Sequence, residues 1–106
     1  MSTAPRLTIL IPTRNRPAWV KGLLRYYASL RCPFLIRVGD SSDEGPRQQV
    51  QELIHGLAET LSVVHHTYPT YQDQLPGVGT IACMTDLLAR VDTDYAVFVA
   101  DDDFIA

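Results

Sequence analysis

No run in this sequence approaches the roughly 20 apolar residues a membrane-spanning helix requires. The N-terminus, Met1-Ser2-Thr3-Ala4-Pro5-Arg6, lacks the basic start and long apolar stretch of a secretory leader. Both absences predict a cytoplasmic chain with no transmembrane segment. Basic residues are also sparse: nine Lys and Arg among 106 residues, scattered between Arg6 and Arg90, against a net charge of -3. No stripe of cations tracks a phosphate backbone, so nucleic acid is excluded as a partner, and an anionic ligand needs help from a metal or a helix terminus. Cysteine is limited to Cys32 and Cys83, without C-x-x-C spacing or histidine partners. They are expected to be buried, reduced packing residues rather than a disulfide or a zinc site. Internal repeats and low-complexity segments are missing as well. What is present, 46% hydrophobic and 20% charged residues, suits one soluble domain spanning residues 1–106, with no room for a second core.

Apolar runs and helical spacings alternate along the chain. Leu7 to Pro12 is a β-branched run stopped by a proline and predicts strand 1. After the polar loop Thr13-Arg14-Asn15-Arg16, Pro17 falls where a first helical turn begins, with Asn15 or Arg16 at the N-cap. Trp19, Val20, Leu23, Leu24, Tyr27 and Ala28 recur at helical spacing and are expected to face a sheet, with Lys21 and Arg25 in water, until the helix ends near Arg31. Phe34 to Gly39 predicts strand 2, ending at Asp40 and the turn-rich loop Ser41 to Pro46. Val50, Leu53, Ile54, Leu57, Ala58 and Leu61 mark a second helix from about Pro46 to Leu61, with Gly56 inside it, and Ser62 to Thr67 makes strand 3. His65 and His66 alternate faces there, so they do not share one metal and are read as edge-strand residues; His55 is read as a helix-surface residue. The loop from Tyr68 to Gly79 is long enough to be functional, and Tyr68 and Tyr71 can either stack on a ligand or pack onto their own domain. Val78, Ile81, Ala82, Thr85, Leu88 and Val91 give a third helix, and the unbroken apolar run Tyr95 to Ala100 predicts strand 4, buried on both faces.

Three carboxylates, Asp101-Asp102-Asp103, follow strand 4 at once. Adjacent carboxylates repel by about 4 kcal/mol per pair at ~4 Å and an effective dielectric near 20. Such a triplet is therefore either a solvated turn or the seat of a cation. The strand–helix alternation argues for a Rossmann-like three-layer α/β/α fold with a mostly parallel sheet in the order 3-2-1-4. Winding reverses between strands 1 and 4, and ligands bind beyond the carboxyl ends of the strands at such a reversal. Thr13-Arg14-Asn15, Asp40 and the triplet all end strands on that one rim, which favours a binding site. Hard oxygen donors in a short acidic group suit Mg2+ or Mn2+ arriving with a diphosphate, Asp40 can accept from a base or ribose, and Arg14 or Arg16 can supply positive charge.

Leu7 to Pro17 (LTILIPTRNRP), Val38 to Asp43 (VGDSSD) and Tyr95 to Ile105 (YAVFVADDDFI) together resemble the nucleotide-sugar-binding half of family 2 glycosyltransferases, which have the GT-A fold. The resemblance covers nearly the whole chain in the right order. It implies an inverting, metal-dependent transfer from a nucleotide-diphosphate sugar to an acceptor hydroxyl. It also implies nucleotide contacts at Pro12, Thr13, Arg14, Asp40 and Asp101, and a Mn2+ or Mg2+ site among Asp101, Asp102 and Asp103. Because Ala100 stands where many relatives carry another acid, the favoured register gives Asp101 to the ribose and Asp102 to the metal; the other makes Asp101 and Asp103 the ends of a D-x-D motif. Met84 departs from an asparagine common on the third helix of the family.

The family continues well past the position of Ala106, so the catalytic base is expected beyond it and the chain is expected to be truncated after strand 4 and inactive in transfer alone. A bare strand 4 edge would then favour self-association. A non-catalytic nucleotide-binding or assembly module is the alternative from another class. A dinucleotide-dependent oxidoreductase is the other enzyme reading, but Pro12-Thr13-Arg14-Asn15-Arg16-Pro17 contains no glycine to let the backbone approach a pyrophosphate.

Overall fold

A computed structural model describes residues 6–68 and 78–101, with the backbone alone for residues 78–80. Asp102, Asp103, Tyr71 and most of the predicted binding loop lie outside the described residues. Seven elements follow one another as expected: β1 (Leu7–Thr13), α1 (Pro17–Ser29), β2 (Leu35–Asp40), α2 (Glu44–Gly56), β3 (Val63–Thr67), α3 (Val78–Ala89) and β4 (Tyr95–Phe98). The strands form one sheet in the order β3-β2-β1-β4, and every pairing is parallel.

Register decides which side chains meet. Ile9 and Ile11 pair with Ile36 and Val38, so these four share one face of the sheet. They are buried there with Val20, Leu23, Leu24 and Tyr27 of α1, Val50 of α2, and Leu61. Each such aliphatic side chain withdrawn from water contributes on the order of 1.5–3 kcal/mol. The opposite face carries a smaller cluster, in which Leu10 of β1 packs with Cys83 and Leu87 of α3.

The first helix starts with Arg16 at the N-cap and Pro17 just inside, where a missing N–H costs nothing. It ends sooner than expected, at Ser29. Cys32 N–H donates to the Tyr27 carbonyl and Arg31 N–H to that of Ala28, with Arg31 at φ 51° in the left-handed region usually given to glycine. Trp19 departs from the predicted stripe. Burial selects Val20, Leu23, Leu24 and Tyr27, spaced by three and four, which leaves Trp19 one position off that face and 52% exposed. The second helix begins at Glu44, earlier than Pro46, because Pro46 fits inside the first turn; it stops at Gly56, so that glycine ends the helix and Ala58 is exposed.

Two other expectations are corrected. In α3, Cys83 and Leu87 face the sheet, while Ile81 and Leu88 are 65% and 53% exposed. The helix is apolar nearly all round, so periodicity alone does not choose its inner face. Gly39 of β2 makes the choice. A Cβ at Gly39 would lie 2.5 Å from Cys83 Sγ and 2.7 Å from Leu87 Cδ1, so the glycine leaves the hollow in which α3 nests. Strand β4 is shorter than the run Tyr95 to Ala100 and is not buried on both faces. It pairs with β1 alone at the edge of the described sheet, with Tyr95 60% and Phe98 37% exposed, and only Val99 just beyond it is fully withdrawn.

Gly39→Ala should force α3 off the sheet and cost about 1–3 kcal/mol, the usual effect of overpacking. Urea unfolding measures this, and adding Cys83→Ala to the same chain should restore part of the loss by removing the nearest atom. A Gly39→Ala chain as stable as the parent would show that α3 does not rest on this hollow.

Candidate functional site

The carboxyl ends of β1 and β4 converge on a cleft of about 310 Å³. The β1 end supplies Pro12, Thr13, Arg14 and Arg16; the β2 end supplies Ser41; Ala100 and Asp101 follow β4; and Cys83 of α3 closes the cleft from below. Val99 N–H donates to the Leu10 carbonyl, carrying the chain beyond β4 alongside β1 and delivering Asp101 to the rim. There the Asp101 carboxylate is 4% exposed, with both oxygens engaged. Thr13 Oγ1 donates to Oδ2 at 2.9 Å, and Arg16 Nη1 lies 3.1 Å from Oδ1. The Arg16 guanidinium also sits 5.7 Å from the centroid of the Trp19 ring. Arg14 is half-buried on the same loop and forms no ion pair among the described residues.

The loops after β1 and β2 are tied together. Asn15, at φ 51°, receives the Asp43 N–H on Oδ1 at 2.8 Å and donates through Nδ2 to Asp43 Oδ2 at 3.2 Å. Its own N–H donates to Ser42 Oγ at 2.7 Å. Asparagine tolerates this left-handed conformation better than most residues, so the chain can turn here without glycine.

Asp40 ends β2 opposite Thr13 on the same rim, but it does not line the cleft. Its side chain is 0% exposed. Oδ1 accepts the Ser42 N–H at 2.9 Å, and Oδ2 accepts His65 Nε2–H at 2.8 Å. Burial pushes this carboxyl up, but the hydrogen bonds from His65 and Ser42 outweigh it and hold Asp40 below its ordinary value. The two histidines of β3 do face opposite sides of the sheet. His66 Nε2 is 3.0 Å from Arg37 Nη1; arginine can only donate, so this nitrogen accepts and the ring proton lies on Nδ1. Burial, then the Arg90 and Arg37 charges, lowers the His66 pKa and keeps that ring neutral. Tyr68 packs onto its own domain, donating its hydroxyl to Asp86, which also receives Arg90 Nε at 2.8 Å. Burial first, and then Asp86 and Asp40, pushes the Cys83 thiol up to about 11, so it stays protonated and unreactive at neutral pH. Cys32 is only half buried, against the expectation of full burial, and both thiols are unpaired.

Pro12, Thr13, Arg14 and Asp101 are thus brought together as predicted, Asp40 stands behind them, and Asp102 and Asp103 lie outside the described residues. Among the described residues, no three His, Cys, Asp or Glu side chains gather closely enough to hold a metal ion, and no helix is long and apolar enough to cross a membrane. Sequence reasoning missed Ser41, the link through Asn15, and the pairing of His65 with Asp40. The last follows only from the register, which pairs Val63 with Ile36 and His65 with Val38 and so puts His65 on the face of Asp40.

No protein-family model matches the chain, and no curated protein matches it significantly. Solved structures do. TarS of S. aureus, residues 1–349, aligns with a TM-score of 0.72 at 19% identity over 94% of this chain and 28% of that one. The mannosyltransferase PcManGT from Pyrobaculum calidifontis, solved in complex with GDP-Man and Mn2+, aligns with a TM-score of 0.72 at 18% identity over 97% of this chain and 29% of that one. At these identities the likeness is one of fold, the GT-A arrangement expected from the sequence. The chain spans less than a third of the length of either structure.

Asp40 gives this rim a measurable acid dependence. Its folded pKa is depressed, so its contribution is present above the unfolded value, about pH 4, and is lost as pH falls through the lower folded value. Asp40→Asn should cost about 1–3 kcal/mol at neutral pH, where a charged hydrogen-bond acceptor is lost. The gap to the parent in urea melts should narrow from about pH 5 to about pH 3. A gap that stays constant across this window would show that the charge of Asp40 does not stabilise the fold.

Proposed function

We propose that this chain is the donor-binding half of an inverting, family 2-like glycosyltransferase that takes a nucleotide-diphosphate sugar with Mn2+ or Mg2+. The observation that carries the reading is the cleft at the winding reversal, where Thr13, Arg16 and a buried Asp101 meet. The fold shared with a mannosyltransferase that binds GDP-Man and Mn2+ supports it. Pro12, Thr13 and Arg14 take the nucleotide side, Asp101 the ribose and one side of the metal, and Asp102 with Asp103 the rest of the metal site. Asp40 belongs to the same side: it fixes Ser42 and so the loop that carries Ser41 into the cleft.

The donor chemistry suits a hard cation. Asp101 is an oxygen donor in a cleft whose described lining has no imidazole and a single thiol that is held protonated, so zinc-type ligation by sulfur or imidazole is disfavoured there. Mg2+ and Mn2+ bind through one or two carboxylates completed by substrate phosphates and water. When bound, such an ion neutralises the charge that gathers on the departing diphosphate. The chain itself contributes orientation. Thr13 fixes the plane of the Asp101 carboxylate, Arg14 and Arg16 offset phosphate charge, and the acceptor side and its base belong to other parts of the whole protein. The unpaired thiols accord with a reducing, cytoplasmic setting. The outer edge of β4, unpaired among the described residues and with Tyr95 and Phe98 beside it, is read as a pairing edge between copies of the chain.

Calorimetric titration with GDP and UDP, with Mn2+ and with chelator, tests the donor-site reading. Binding should require the cation, because the carboxylates otherwise meet the diphosphate as like charge. Equal affinity in chelator and in Mn2+ would remove the metal from the reading, and no binding of either nucleotide would overturn it.

Sedimentation at increasing concentration tests the edge. The chain should form concentration-dependent dimers that Phe98→Lys abolishes, and a chain that stays monomeric at high concentration would exclude this pairing.

A further inference from the structure

We infer that Arg16 is a transferable counter-ion, which holds Asp101 while the cleft is empty and passes to the diphosphate when a nucleotide enters with its cation. The inference rests on the donor-site reading and concerns a residue that reading leaves in a general electrostatic part.

The geometry supports a hand-over rather than a fixed strut. Asp101 is held from two sides by partners of different kinds: a neutral hydroxyl, Thr13 Oγ1, on Oδ2 and a cation, Arg16 Nη1, on Oδ1. A buried carboxylate needs the cation only while nothing else offsets its charge. Thr13 can keep the carboxylate oriented whether or not Arg16 remains, whereas a guanidinium 3.1 Å from Oδ1 and a divalent ion approaching Asp101 repel one another.

Arg16 is also built to move. Its side chain is 45% exposed against 5% for Asp101, so the carboxylate is the more deeply held partner and the guanidinium the more accessible one. It stands at the N-cap of α1 with its backbone anchored, since the Arg16 carbonyl accepts the Trp19 and Val20 N–H groups. Trp19, one turn on, gives the guanidinium a face to rest against while it holds Asp101. Arginine suits the second partner too, because its planar fork matches phosphate oxygens in pairs. One cation thereby stabilises the empty cleft and then serves the filled one, without leaving Asp101 uncompensated at any stage.

The test uses opposite signs. Arg16→Met removes the competitor for Asp101 and the partner for the diphosphate. Mn2+ alone should bind roughly threefold tighter, the scale of a half-exposed ion pair. GDP or UDP in saturating Mn2+ should bind roughly tenfold weaker, the scale of a lost charged hydrogen bond. Arg16→Lys should show the same two signs at smaller size, which keeps the test open if the methionine variant folds poorly. Trp19 is the only tryptophan in the chain, so its fluorescence should change when GDP and Mn2+ are added to the parent and change less in Arg16→Met. If Mn2+ and nucleotide affinities fall together, Arg16 merely props the site and the hand-over is overturned. Unchanged affinities overturn it as well. A parent chain that binds neither nucleotide fails the donor-site reading first, and the hand-over with it.

Discussion

A carboxylate buried to 4% exposure has to be answered by donors, and the demand made by Asp101 shapes the whole cleft. Asp101 reaches the rim because β4 lies parallel beside β1 and the chain stays paired through Val99. Its donors come from the far side of the winding reversal, Thr13 at the last position of β1 and Arg16 at the cap of α1. Topology brings the two segments together, and electrostatics fixes how they meet. A sheet wound the same way throughout would place a helix where the cleft opens.

The second buried carboxylate solves the same problem differently. Asp40 has no arginine partner among the described residues and relies on the imidazole N–H of His65 on β3 and the backbone N–H of Ser42 in the loop after β2. One acid is compensated by a group that can leave and the other by groups that cannot. Asn15 then joins the rim of the first to the loop of the second, so the two loops act as one body. A ligand entering such a rim has less loop motion to arrest.

Much of this was legible in the residues. Alternating strand and helix signals predicted all seven elements and the order 3-2-1-4, because a βα alternation leaves few unknotted right-handed arrangements. Pro12, Thr13, Arg14 and Asp101 could be placed on one rim because strand ends are marked by abrupt changes of polarity. The inner face of α3 was not legible: a helix apolar on every side has no periodic signal, and a glycine 44 residues before Cys83 made the choice. Trp19 was misplaced because hydrophobicity does not separate an indole in the core from one that lies under a guanidinium at the surface. The partner of Asp40 stayed hidden for a simpler reason. A histidine pair on an edge strand does not disclose which ring faces which helix layer until the register is known.

That histidine pair also bears on how faithfully the edge strand aligns. Val63-Val64-His65-His66 is a doublet of doublets, so sliding β3 by one residue would put valine where valine was and an imidazole again beside Asp40. A one-residue slip normally turns every side chain to the wrong face, and that penalty is what keeps a strand honest. For a slip in that direction the penalty on this face is reduced, and the ends of the strand add to the alignment. Ile36 N–H bonded to the Ser62 carbonyl pins the start, and at the finish Tyr68 donates its N–H to the Asp40 main-chain carbonyl and its hydroxyl to Asp86 on α3. The tyrosine after β3 therefore acts as the ratchet tooth for the strand, and the imidazole that compensates Asp40 is His65 rather than its neighbour because of a hydroxyl on the other side of the sheet.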